Sequence, residues 1–159
     1  MDTLELIIFL QTEEDVEKAI LKIVERGIET PINGPTALWW AVHYDKEQLV
    51  KALLDLGANP DAHQNDDLTP LIFAIQYNRY NTAKTLVEYN ADVHIVHNTA
   101  GSALSSAVSD NHLPTVKLMV EKGVNPFKDE VFGKTSYQRA VDQNSQEIIT
   151  YFESVKSQF

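Results

Sequence analysis

Thr69-Pro70-Leu71-Ile72-Phe73-Ala74-Ile75 is the segment that decides the fold, because the chain repeats it. Three other segments open alike: Thr36-Ala37-Leu38-Trp39-Trp40-Ala41-Val42, Ser102-Ala103-Leu104-Ser105-Ser106-Ala107-Val108 and Thr135-Ser136-Tyr137-Gln138-Arg139-Ala140-Val141. Each begins 33 residues after the one before, and all four carry alanine at the sixth place. A fixed period of that size marks a repeat architecture in which each unit is one supersecondary element.

The residues between the segments give the unit its shape. Asp45, Asn78, Asn111 and Asn144 recur where each unit must turn back between two antiparallel helices. Asn and Asp are the non-glycine residues that best tolerate positive φ. A second corner carries Gly57, Asn90 and Gly123, expected as left-handed caps just past a helix. Pro114 stands where a second helix starts and no backbone donor is needed. Apolar residues at helical spacing mark those second helices: Leu49, Val50, Leu53 and Leu54; Ala83, Leu86 and Val87; Val116, Leu118, Met119 and Val120; Ile148, Ile149 and Phe152. No unit can bury such a stripe alone, so the units must stack. Roughly 1.5–3 kcal/mol per buried large aliphatic side chain is enough to drive the stacking.

The ends read as caps. Residues 1–33 hold an apolar helix around Leu4, Leu6, Ile7, Ile8, Phe9 and Leu10, then a second one ending at Gly27; the step of 30 from Gly27 to Gly57 trims the first loop. Gln143, Ser145, Gln146, Glu147, Glu153, Lys156 and Gln158 give the last unit the polar coat that a terminal repeat needs.

Charge narrows the partners. Thirteen Lys and Arg stand against 23 Asp and Glu, a formal charge of -10, so nucleic-acid phosphates and anionic lipid repel the chain and a charged partner is expected to be basic. With no cysteine there is no disulfide and no thiolate metal site. The amino terminus is acidic where a secretory signal needs positive charge, and the run Leu6 to Leu10 is too short to span a bilayer. A soluble, cytoplasmic protein, monomeric when free, is expected.

These residues resemble the ankyrin-repeat family, whose unit opens Thr-Pro-Leu-His and closes Gly-Ala-Asp. Thr69-Pro70-Leu71 matches the opening, Gly57-Ala58-Asn59 and Asn90-Ala91-Asp92 match the close, and Asn111-His112 resembles the Gly-His step between helices. The motif histidine is replaced by Trp39, Ile72, Ser105 and Gln138. The tetratricopeptide type of helical repeat shows a different signature and lacks these corner residues. The resemblance implies an all-α ankyrin-repeat solenoid of about five stacked helix-turn-helix units in one domain over 1–159. The units fall at about 1–33 (cap), 34–66, 67–99, 100–132 and 133–159 (cap).

In this family the concave face, made of loop tips and the exposed side of each first helix, carries recognition. Mapped onto this sequence, the tips are Asn65, Asp66, Leu68, Asn98, Thr99, Val131, Phe132 and Lys134. The helix positions are Trp39, His43, Tyr44, Ile72, Gln76, Tyr77, Ser105, Ser109, Asp110 and Asp142. Large aromatics carry most binding energy at interfaces, so Trp39, Tyr44, Tyr77 and Phe132 are the candidate anchors, with Asp66, Asp67 and Asp110 as acidic complement. Trp40 and Phe73 share a position usually packed inside. Trp39 either anchors a partner or plugs a gap between repeats; Asp66-Asp67 also reads as a solvated turn. Trp39→Ala and Phe132→Ala are expected to weaken binding while sparing the fold.

Chemistry finds no foothold. His63, His94 and His97 lie between units, and an extended loop points His94 and His97 to opposite faces with no carboxylate placed beside them, so no metal is expected. No nucleophile triad, phosphate-cradling glycine loop or acid pair is readable, and neither catalytic residue nor cofactor is assigned. The expected activity is protein binding, sharpened on charge and size to an inhibitor or immunity protein masking a basic toxin or enzyme. The alternative is a regulatory or structural subunit of a larger assembly.

Overall fold

The computed structural model describes residues 9, 12, 15–32, 34–62 and 68–159. Within them lie nine α-helices: α1 (Val16–Arg26), α2 (Ala37–His43), α3 (Glu47–Asp55), α4 (Pro70–Gln76), α5 (Tyr80–Glu88), α6 (Ala103–Ser109), α7 (Leu113–Glu121), α8 (Ser136–Asp142) and α9 (Gln146–Val155), the last running into a 3₁₀ turn. Two short antiparallel hairpins sit in the loops. β1 (Val96–His97) pairs with β2 (Gly101–Ser102), and β3 (Glu130–Val131) pairs with β4 (Lys134–Thr135). The fold is all-α with little sheet, as the repeat spacing requires.

The hydroxyl residue that opens each repeat is the N-cap of its first helix. Thr36 Oγ1 accepts the Trp39 N–H at 3.3 Å, Thr69 that of Ile72 at 3.3 Å, Ser102 that of Ser105 at 3.1 Å and Thr135 that of Gln138 at 3.2 Å. Each bond satisfies a donor that helix geometry would otherwise leave orphaned. Ser105 and Gln138 reach back to the cap residue's own N–H, completing capping boxes that the first two repeats lack.

At the helix exit, Asp45, Asn78, Asn111 and Asn144 hold φ of 54°, 58°, 53° and 56°. The left-handed residue turns the chain so that the next N–H reaches five residues back. Lys46, Arg79, His112 and Ser145 donate to the carbonyls of Ala41, Ala74, Ala107 and Ala140 at 2.7–3.0 Å. That is the Schellman closure. The alanine at the sixth place is fully buried in every repeat, and its carbonyl accepts the bond that closes the corner. The second corners, Gly57, Asn90 and Gly123, are left-handed as expected.

The chain forms two compact units, 1–92 and 93–159. In the first, α2 packs on α3 and α4, α4 on α5, and the second helices α1, α3 and α5 stack in sequence. In the second, α6 packs on α7 and α8, and α9 on α8 and α7. Most of the apolar stripe is buried as expected; Leu118 and Ile149 stay half-buried at the rim. Ser145, expected in the polar coat of the last repeat, is buried, because it follows the left-handed corner and its backbone closes the turn. Of the first cap helix only Phe9 falls within the described residues; Leu4, Leu6, Ile7, Ile8 and Leu10 lie outside them.

Candidate functional site

Two surfaces emerge, one in each unit. In the first, α2 and α4 bring together Trp39, Trp40, His43, Tyr44, Phe73 and Tyr77. Their backbones are set by the Thr36 and Thr69 caps, and their rings by mutual stacking. The His43 imidazole stacks between Trp39, at 5.0 Å between centroids, and Phe73, at 5.4 Å. Tyr77 lies on Phe73 at 4.4 Å, and Tyr44 lies on Trp40 at 5.7 Å. Only Tyr77 is broadly open, 59% exposed.

Arg79 pins this cluster. Its guanidinium donates to the carbonyls of Val42 and His43 at the end of α2, where the helix dipole is negative, and lies over the Phe73 and Tyr77 rings at 5.3 and 5.6 Å. Thr82 adds a bond to Asp45 at 3.1 Å, so the two repeats are tied on both sides of the corner. Burial first, and the Arg79 charge second, push the His43 pKa below its ordinary value, which keeps the ring neutral near pH 7. Two buried atoms in the cluster, Trp39 Nε1 and His43 Nδ1, have no hydrogen-bond partner. Trp40 differs: its Nε1–H donates to the Ile32 carbonyl at 2.9 Å.

Burial corrects three expectations of exposure. Trp39 is 5% exposed, Ile72 1% and Ser105 4%. Trp39, Ile72 and Ser105 take the place of the motif histidine, three residues after the cap, and are buried there, whereas Gln138 at the same place in the last repeat is exposed. Trp39 therefore fills the interior, and the expectation that Trp39→Ala spares the fold is withdrawn. Val131, expected at a tip, is also buried, because it is the inward residue of β3. His43 and Tyr44 are half-buried; Gln76, Tyr77, Ser109, Asp110, Asp142 and Phe132 are exposed. Asp66 and Asp67, with Asn65 and His63, lie outside the described residues.

In the second unit the surface is a hairpin. Phe132 and Gly133 form the two-residue turn between β3 and β4, with φ of 53° and 73°, and Phe132 is 63% exposed. Below it, the Asp129 carboxylate accepts the hydroxyls of Ser102 at 3.0 Å and Ser136 at 2.8 Å, and Arg139 donates to the Val131 carbonyl at 3.2 Å. Elsewhere in this unit an open, amide-lined depression of about 480 Å³ lies among Ser109, Asn111, Gln143, Asn144 and Gln146. Partial burial raises the Asp110 carboxyl above its ordinary pKa, against a smaller lowering by His112.

The loop histidines shape turns. His97 is buried, and its Nδ1 accepts the backbone N–H groups of Thr99 and Ala100 at 3.3 and 2.9 Å, whereas His94 is exposed. Among the described residues no group of three or more His, Cys, Asp or Glu is placed to hold a metal, and no helix is long and apolar enough to cross a membrane.

Charge divides unevenly. Residues 1–92 hold 16 Asp and Glu against 7 Lys and Arg, whereas residues 93–159 hold 7 against 6. Helices α2 and α4, which carry the rings, hold no Asp or Glu. Arg79 and Asp129 had no signal in the sequence, because Arg79 binds carbonyls 36 and 37 residues away and Asp129 binds a serine 27 residues away and another in the next repeat. Compared with known proteins, residues 4–97, more than half of the chain, match a family model described as ankyrin repeats (3 copies). No curated protein matches.

Proposed function

The chain belongs to the ankyrin-repeat family, a family of protein–protein interaction modules, and from that premise we propose that binding a basic protein partner is its whole activity, without catalysis of its own. The observation that carries this reading is the concentration of acid in residues 1–92, the unit that also displays Tyr77 on its aromatic cluster. A field of one sign draws an oppositely charged partner over distances beyond contact and orients it before docking. Tyr77, Tyr44 and Gln76 then offer amphipathic contact area at small entropic cost, since the rings are already held by Phe73, Trp40 and Arg79. The sharper form of the proposal is an inhibitor of immunity type, acting in the cytoplasm and covering the basic active site of a toxin or enzyme.

The test is affinity capture with the full chain, followed by association rates at rising salt. One stoichiometric basic protein is expected, with an association rate falling on the order of tenfold or more as ionic strength rises from about 0.05 to 0.5 M. A rate indifferent to salt removes electrostatic capture from the account. A chain that travels only within a large assembly is instead a regulatory or structural subunit.

A further inference from the structure

Lys46, Arg79, His112 and Ser145 hold the same place in their repeats, just past the left-handed corner and just before the second helix. Arg79 uses that place to reach back across one repeat, giving its guanidinium to the carbonyls of Val42 and His43, 37 and 36 residues earlier. Counted back by the same steps from Ser145, the matching carbonyls are those of Val108 and Ser109 at the end of α6. Serine is too short to reach them. The place that a guanidinium fills between the repeats at 34–66 and 67–99 is thus left to other groups between those at 100–132 and 133–159.

The open depression of the second unit lies there. Ser109, Asn111 and residues 143–147 line it, at the end of α8 remote from the β3–β4 hairpin. Its polar groups are loosely bonded. Ser145 is 8% exposed yet caps α9 without a side-chain bond, and Gln143 Nε2 meets the Ser109 carbonyl only at 3.5 Å. A buried hydroxyl and a helix-end carbonyl in that state favour a ligand that brings donors of its own. The carbonyls stand at the negative end of α6, and Glu147 adds a carboxylate. Among the described residues no cationic side chain lines the depression to neutralise them. Arg139, which takes the place of Phe73 in this repeat, is engaged with the Val131 carbonyl instead.

We propose that this depression takes the guanidinium of an arginine side chain from the basic partner, as its counterpart takes that of Arg79; this rests on the binding reading above and names one contact in it. A planar fork of N–H donors serves carbonyls, amide oxygens and a carboxylate at once, which a compact ammonium does less well. An anion is the poorer occupant. Glu147, in the first turn of α9, already answers the positive end of that helix and repels a second negative group.

Acetyl-arginine amide and acetyl-lysine amide, titrated into the full wild-type chain and followed by NMR, test the site without the partner. The arginine probe is expected to shift the side-chain amides of Asn111, Gln143, Asn144 and Gln146 with a dissociation constant on the order of 10 mM. The lysine probe is expected to bind at least about threefold more weakly. S145R supplies a guanidinium from within, as Arg79 does. It is expected to melt at or above the wild-type temperature, to lose the probe's shifts, and to bind the captured partner at least about tenfold more weakly. E147Q keeps the shape and is expected to weaken the arginine probe about two- to fivefold. Equal binding of the two probes, or shifts that persist in S145R, overturn the proposal, because charge alone or another surface then accounts for them. So does an absence of shifts, or a clear drop in the melting temperature of S145R, which means that the place does not admit a guanidinium. If S145R keeps wild-type affinity for a partner captured with salt-sensitive rates, the binding reading survives and the arginine contact does not. Failure of the wild type to capture any protein removes both, whatever the probes do.

Discussion

Helices α2 and α6 occupy the same place in their repeats and solve the same packing problem with opposite chemistry. Ala37-Leu38-Trp39-Trp40-Ala41-Val42-His43 fills the gap with rings; Ala103-Leu104-Ser105-Ser106-Ala107-Val108-Ser109 fills it with hydroxyls. Both start from a hydroxyl cap and end at a left-handed corner. Trp39 and Ser105 stand at the same position and are equally buried. Yet the ring version leaves Trp39 Nε1 and His43 Nδ1 unbonded, while the hydroxyl version satisfies itself: Ser105 Oγ donates to the Ser102 carbonyl and accepts the Ser102 N–H, both at 3.0 Å. Caps and corners hold the helix; the side chains between them are free to be apolar bulk or a bonded network. The two options should therefore fail differently.

The largest expected effect is in the aromatic repeat. Trp39→Ala removes a buried indole from between Trp40, His43 and Phe73 and should cost about 3–5 kcal/mol in urea unfolding. A loss under about 1 kcal/mol would mean that the rings close over the gap and that α2 is no more dependent on bulk than α6. In the hydroxyl repeat the weak point is the acceptor. Asp129→Ala takes away the acceptor of both the Ser102 and the Ser136 hydroxyl protons, with an expected cost of about 1–3 kcal/mol by the same measurement. If stability is unchanged, the serines have found other partners and the network is not what holds the second unit.

The smallest effect is a slope. Burial lowers the pKa of His43 in the first unit and of His112 in the second below the ordinary value of 6.5. A lowered folded pKa means that the unfolded chain takes up the proton first as the pH falls. Stability present above 6.5 is therefore lost progressively as the pH drops from there toward the folded value. Melting temperature followed from about pH 7.5 to 5 should decline less in His43→Phe than in the wild type. An identical slope in both chains would show that His43 remains neutral and unfelt across that range.

Much of this was legible from spacing alone. Thr36, Thr69, Ser102 and Thr135 recur at 33 residues because each caps a helix, the buried alanines because backbone closes on them, and Asp45, Asn78, Asn111 and Asn144 because the turn needs positive φ. Those are local demands, so they leave local marks. The candidate surface was legible only where a side chain's exposure follows from its local conformation. Phe132 and Tyr77 face outward as expected, but Trp39, Ile72 and Ser105 do not, since their burial depends on what a neighbouring repeat presents. Arg79 left no mark at all, because its ligands are carbonyls 36 and 37 residues away.

By itself, then, the order of residues determined the repeat, the helix boundaries and corners, and the sign and placement of charge, because caps, φ preferences and ionisable groups are properties of single residues and short spans. The tertiary structure alone decided which rings are interior and which polar atoms go unpaired. Those outcomes depend on packing between segments far apart in the chain, where any of several side chains would fit and only the assembled neighbours choose.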